Sequence, residues 1–121
     1  MKRYDVYQVG IDFDKYELLP RKLVKENVTY DEAWDISVDK DAEMKVFYKA
    51  IVPHEDDGKL YDVIRSTDGD DHYPEHDEMY EDVIHSGLNQ KEALLVREEE
   101  ELKCLNDSWR ISHEVREHKA A

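Results

Sequence analysis

Lys59-Leu60-Tyr61-Asp62-Val63-Ile64-Arg65 begins the chain a second time. The opening reads Lys2-Arg3-Tyr4-Asp5-Val6-Tyr7-Gln8, with the same Tyr-Asp-Val core and a Lys two residues before it. Further on, Asn27-Val28-Thr29-Tyr30-Asp31-Glu32-Ala33 is answered by Gly87-Leu88-Asn89-Gln90-Lys91-Glu92-Ala93. Chance recurrence in a Tyr-rich, Asp-rich chain is the competing explanation. The second match arrives in the same order and at nearly the same spacing as the first, which favours a structural repeat.

Working outward from the restart, each copy reads strand, strand, helix, strand. Tyr7, Val9, Ile11 and Phe13 alternate with polar residues, the period of a half-buried strand. Asp14-Lys15 supplies a turn, and the chain returns from Tyr16 to Lys25. Pro20 places that second strand at an edge or at a bulge. Thr29 with Glu32 is a capping box, and Val28 can staple against Ala33. Tyr30, Ala33, Trp34, Ser37 and Val38 then fall on one helical face. A strand from Glu43 to Val52 follows, ended by Pro53.

In the second copy Leu60 to Arg65 reads as a strand. Met79 to His85 fits a strand or a short helix equally. A helix runs from Asn89 to about Leu105, and Trp109 to Val115 alternates as a final strand. His118 to Ala121 should fray. The expectation is one compact α+β domain of two ββαβ repeats, 1–58 and 59–121. An antiparallel sheet would carry two helices, with Trp34, Trp109, Tyr7, Val9, Val46 and Tyr48 as core anchors. An open edge strand would allow a homodimer.

The 121 residues hold 17 Lys+Arg against 31 Asp+Glu, a formal net charge of −14, while 40% remain hydrophobic. That is enough apolar material to fold, and the charge disfavours direct contact with nucleic acid or an anionic membrane. A single cysteine, Cys104, excludes an internal disulfide and reads as a small packed residue. The N-terminus lacks the apolar run of a signal peptide, and Ala93-Leu94-Leu95-Val96 is far too short to span a membrane. A soluble, cytoplasmic protein is expected.

No catalytic motif is present, and an enzyme is not expected. Asp56-Asp57-Gly58 and Asp68-Gly69-Asp70-Asp71 lack the ligand order of a calcium loop. His72 and His76 flank a Pro without enforced geometry, and His113 and His118 are one residue too far apart for a zinc-binding helix. Neither a metal nor a cofactor is expected.

The acids are more informative. Ser66 to Gln90 contains no Lys or Arg, yet holds Asp68, Asp70, Asp71, Glu75, Asp77, Glu78, Glu81 and Asp82, eight charges out of a net −14. Elsewhere acids come as Asp12 and Asp14, as Asp31, Asp35 and Asp39, as Glu55-Asp56-Asp57, and as Glu98-Glu99-Glu100-Glu101. Carboxylates two apart on a strand stand roughly 6.7 Å apart, and four apart on a helix roughly 6 Å along its axis. Duplex DNA offers one phosphate per roughly 3.4 Å on each strand. These acids are the candidate partner-binding residues.

In size, acidity, Tyr content and absence of motifs, the chain resembles the small DNA-mimic inhibitors that bacteriophages make early in infection. The resemblance is one of character over the whole chain, and it transfers no functional residue. It implies a protein that occupies the DNA-binding face of a basic host protein inside a bacterial cell. A nucleoid protein of the histone-like HU type suits best, since distributed charge matches a target that reads DNA shape. The alternative is a protein–protein adaptor or assembly factor using a sheet edge or an aromatic face.

Overall fold

The structure is a computed structural model and describes residues 2–38, 43–67, 80–107 and 110–119. In chain order its elements are β1 (Tyr4–Asp12), β2 (Glu17–Val28), α1 (Tyr30–Asp35), β3 (Lys45–Pro53), β4 (Leu60–Thr67), β5 (Tyr80–Asn89), α2 (Gln90–Lys103) and β6 (Ile111–Glu117). A short 3-10 turn over Leu105–Asp107 follows α2. The expected single sheet is instead two antiparallel three-stranded sheets, ordered β2-β1-β3 and β5-β4-β6. Of the segment 79–85, ambiguous between helix and strand, Tyr80 to His85 lie in β5 and pair with β4, and Met79 falls outside the described residues.

Alternation along β1 buries both of its faces. Val9 and Ile11 join Ala50 and Val52 of β3 against Leu95 and Leu102 of α2, with Tyr7, Val46 and Tyr48 packed around them. On the opposite face Val6 meets Val28, Ala33 and Ile36. In the second sheet Val63 meets Leu88, Ala93 and Val96, with Ile84 and Val115 around them. Helix α2 therefore packs against both sheets, while α1 covers only the first.

Pro20 sits on edge strand β2, where the register slips between Gly10↔Leu19 and Gln8↔Lys22. One extra residue is accommodated there, as a missing backbone donor requires. Tyr16, expected in the returning strand, lies in the turn with φ 56°. Asp12 Oδ1 shapes that turn by accepting from the N–H groups of Asp14 at 3.0 Å and Lys15 at 3.4 Å. Strand β3 starts at Lys45 rather than Glu43, because Glu43 and Met44 have φ of 31° and 68°.

Helix α1 departs from its expected reach. It stops at Asp35, and Ile36 is already extended, which lets its side chain enter the cluster around Val6. The final carbonyls find a substitute donor: Lys49 Nζ donates to Ala33 O at 3.0 Å, Trp34 O at 2.7 Å and Ile36 O at 3.1 Å. Ala33 alone is buried in so short a helix. Trp34, one step around the axis, is 61% exposed and is no core anchor. Trp109 falls outside the described residues.

Both helices carry the caps their sequences announce. Thr29 Oγ1 accepts from Glu32 N–H at 3.1 Å, and Asn89 Oδ1 accepts from Glu92 N–H at 2.8 Å. Thr29→Ala and Asn89→Ala should each lower stability by about 1 kcal/mol, read from denaturant unfolding. A loss in only one variant would mean the other helix start is held by packing alone.

Candidate functional site

The chain's carboxylates divide into two populations. The inner one is built where the strands bulge. Asp5 stands opposite an extra residue in β2, where Tyr4 pairs with Val28 but Val6 pairs with Lys25. Its Oδ1 accepts from Asn27 N–H at 2.9 Å, and Asn27 sits at φ 57°. The same oxygen accepts from His54 Nδ1 at 2.7 Å, and Oδ2 accepts from Lys91 Nζ of α2 at 2.9 Å. Asp62 stands in the same place in the second sheet. Its Oδ1 accepts from Gly87 N–H at 3.1 Å, with Gly87 at φ 69°, and from His118 Nδ1 at 2.8 Å. The backbone follows suit: His54 N–H donates to Arg3 O at 2.9 Å and His118 N–H to Leu60 O at 2.8 Å. His118, expected to fray, is pinned.

Sequence reasoning passed over these clips although it had their signal. Asp5 and Asp62 are the centres of the Tyr-Asp-Val copies, and Asn27 and Gly87 each stand two residues before a cap. What the sequence could not show was that one histidine after each third strand closes the arrangement.

Burial alone would raise the Asp5 carboxyl, but Lys91, Asn27 and His54 more than offset this and hold it below the usual range. Asp5 and Glu26 with His54 could offer three ligand atoms to a metal, all within 4.8 Å of one another. The Lys91 ammonium already supplies the compensating charge there, so the cluster is balanced as it stands. The Asp–His pairs do not amount to nucleophile activation either. Ser86 Oγ lies 3.4 Å from His118 Nδ1, the same nitrogen that donates to Asp62, so it has no lone pair to act as base for that hydroxyl.

The acids of α2 complete the inner population, and here the expected partner surface is corrected. Glu99 and Glu100 are buried. Arg21, directed inward at the β2 irregularity, holds Glu92 at 2.6 Å and Glu99 at 2.6 Å. Glu100 takes Arg65 of β4 at 2.9 Å, Lys103 at 2.9 Å and His85 at 3.2 Å. Burial would raise Glu100, and those partners bring it below the ordinary range. Glu101 accepts from His113 N–H at 2.7 Å. Glu98 pairs with Arg97, and burial pushes its carboxyl up. Four successive residues point in every direction around a helix. Because α2 lies against two sheets, this run cannot form an outward face.

The outer population is what remains. Asp14, Asp31, Asp35, Glu55, Asp56 and Asp82 are exposed and form no ion pair among the described residues. Asp57 is exposed too, held low first by the Tyr61 hydroxyl and then by Lys59 N–H at 2.9 Å. Glu81 is neutralised by Arg116 at 2.8 Å. Asp39, Asp68, Asp70, Asp71, Glu75, Asp77 and Glu78 lie outside the described residues.

Strand β1 separates the outer acids rather than gathering them. Asp12 and Asp14 lie at its Lys45 end, and Glu55 and Asp56 follow Pro53 at its Tyr4 end. Nine residues of strand set these ends roughly 27 Å apart. A shallow cleft of about 490 Å³ at the Tyr4 end has Arg3, Tyr4, Pro53, Glu55, Asp56 and Asp57 among its walls. Its walls carry charges of both signs and about as much polar as apolar surface, unlike the predominantly apolar lining of a substrate cavity. No helix among the described residues is long and apolar enough to cross a membrane. Comparison of the chain with protein-family models, curated proteins and solved structures finds no match in any of them.

Asp5→Asn keeps an acceptor for Asn27 but removes the charge facing Lys91 and His54. It should cost about 2 kcal/mol at neutral pH. The folded carboxyl titrates below its ordinary 3.8. Its contribution is therefore full above that value and lost as pH falls through the folded one. Wild type and variant should draw together in urea unfolding as pH falls below 3.8 and meet only beneath the folded carboxyl's own, lower value. A gap that persists in acid would assign the loss to packing.

Proposed function

We propose that this chain is an acidic DNA-mimic protein that binds the DNA-binding surface of a basic protein and blocks its access to DNA. The observation that carries the reading is the division of charge. Arg21, Arg65 and Lys91 are engaged with inner carboxylates, while Asp14, Asp31, Asp35, Glu55, Asp56 and Asp82 are exposed with no ion pair among the described residues. Spread over roughly 27 Å, they cover about eight base steps of duplex. A shape-reading, histone-like protein is the first choice of target, since it needs phosphate-like charge without base edges. The role is one of binding, with no catalysis. It is read as acting in the cytoplasm of a bacterial host.

We also infer that the two halves, 1–58 and 59–121, are copies of one ββαβ module. The matching strand orders, bulges, Asp–His clips and caps support this. So does packing: Val6, Val28, Ala33 and Ile51 stand where Val63, Leu88, Ala93 and Val115 stand.

The second reading, an adaptor, is favoured by one observation. Tyr30 and Trp34 expose 48% and 61% of their surface on the short helix. Salt separates the two readings, because charge-driven association weakens with ionic strength and aromatic anchoring does not. In a competition assay, the protein should displace labelled duplex from a histone-like protein and bind no duplex itself. Asp14→Asn, Asp31→Asn, Asp35→Asn and Asp56→Asn combined should slow association about tenfold at low salt. Unchanged displacement by that folded variant would reject the mimic and leave the adaptor.

A further inference from the structure

We propose that the outward face of α1 is a docking surface for an arginine-bearing segment of a protein. This rests on the reading of a basic protein as partner and adds where, and by what chemistry, it is gripped. Tyr4, Tyr30 and Trp34 form a ladder of edge-to-face rings, with centroids 5.3 Å apart for Tyr4–Tyr30 and 6.1 Å for Tyr30–Trp34. Tyr30 and Trp34 are one turn apart, and Asp31 and Asp35 form the adjoining stripe, also one turn apart. The aromatic row is thus bordered by two exposed carboxylates that have no ion pair among the described residues.

This face is rigid. A helix of six residues is unstable by itself, yet α1 is fixed at three points. Its capping box closes the start, Ala33 is buried, and Lys49 binds the carbonyls of its end. Ordering costs on binding are correspondingly small. Beyond the Tyr4–Tyr30 ring contact and the approach of Lys49 to Trp34, the exposed parts of these two rings add nothing to folding, because Ala33 and Ile36 make the helix's contacts with the core. Contiguous exposed aromatic surface of this kind marks an interaction site.

Charge selects the occupant. A net −14 repels a second copy, an anionic lipid surface and nucleic acid. Lys49 Nζ already lies 5.4 Å from the Trp34 ring centroid, so the indole accepts a cation. That ammonium is held by carbonyls and does not satisfy Asp31 or Asp35. Guanidinium matches what remains: its plane stacks on an aromatic ring while its edge bonds a carboxylate with two parallel donors. A lysine ammonium, compact and strongly hydrated, offers only its charge.

The test uses the whole chain, labelled with ¹⁵N and titrated with nona-arginine or nona-lysine at two ionic strengths. The Trp34 indole N–H signal is assigned through Trp34→Phe. It should move on adding nona-arginine, which should bind about fivefold tighter than nona-lysine. Trp34→Ala should erase that preference while keeping salt-sensitive binding of both peptides, and Asp31→Asn with Asp35→Asn should weaken both. Equal affinities with an unmoved Trp34 signal, and shifts elsewhere, would overturn this surface and keep the acidic-binder reading. No binding of either peptide would overturn both. A Trp34 signal that moves with protein concentration alone would give the face to a second copy and overturn the proposal. Should Trp34→Ala disturb the fold, the wild-type shift map and the arginine-to-lysine ratio still decide.

Discussion

One carboxylate, Asp5, ties four segments of this molecule together. It lies in β1, receives the bulged N–H of β2 through Asn27, holds His54 after β3, and takes the Lys91 ammonium from α2. Its side chain is only 4% exposed. A buried charge so placed is tolerable only while all its donors are present, and losing one partner costs more than the pair contributes. The seating of α2 on the first sheet therefore depends on the β1–β2 bulge. Asp62 repeats the device in the second sheet without a lysine, and Ser86 and His118 stand beside it instead.

The same economy governs α2. Its acids would be unremarkable on a surface helix, but here they face arginines arriving from two sheets, Arg21 from one and Arg65 from the other. Burying Glu99 and Glu100 with fixed guanidinium partners sets the two sheets at defined positions on one helix. It also removes those cations from the surface. Their carboxylate partners leave the surface with them, so the net negative charge outside rests on the outer acids, which gives the proposed contact with a basic partner its reach.

Much of this was legible in the chain. Alternation in Tyr7, Val9 and Ile11, the Thr29–Glu32 box, the Asn89 cap and Pro20 each report a local rule, and local rules act over a few residues. The reading failed where partners come from far away. Glu98 to Glu101 looks solvated until two sheets flank the helix. Trp34 looks like a core anchor because large aromatics usually are, yet Lys49 ends α1 early and leaves Ala33 and Ile36 to fill the core. His118 looked like a tail residue and His54 stands in the turn after Pro53, and nothing adjacent in sequence shows that an aspartate 56 or 49 residues earlier awaits them.

The central claim is that inner carboxylates hold the fold and outer ones do not. Urea unfolding of two variants at low and moderate salt tests it most directly. Glu99→Gln with Glu100→Gln strips charge from the buried pairs. Asp31→Asn with Asp56→Asn strips the same charge from the surface. The account predicts a loss of about 3 kcal/mol for the inner variant at either salt. For the outer variant it predicts no loss, with a slight gain at low salt as self-repulsion falls. Equal destabilisation by both, or a stable inner variant, would contradict it.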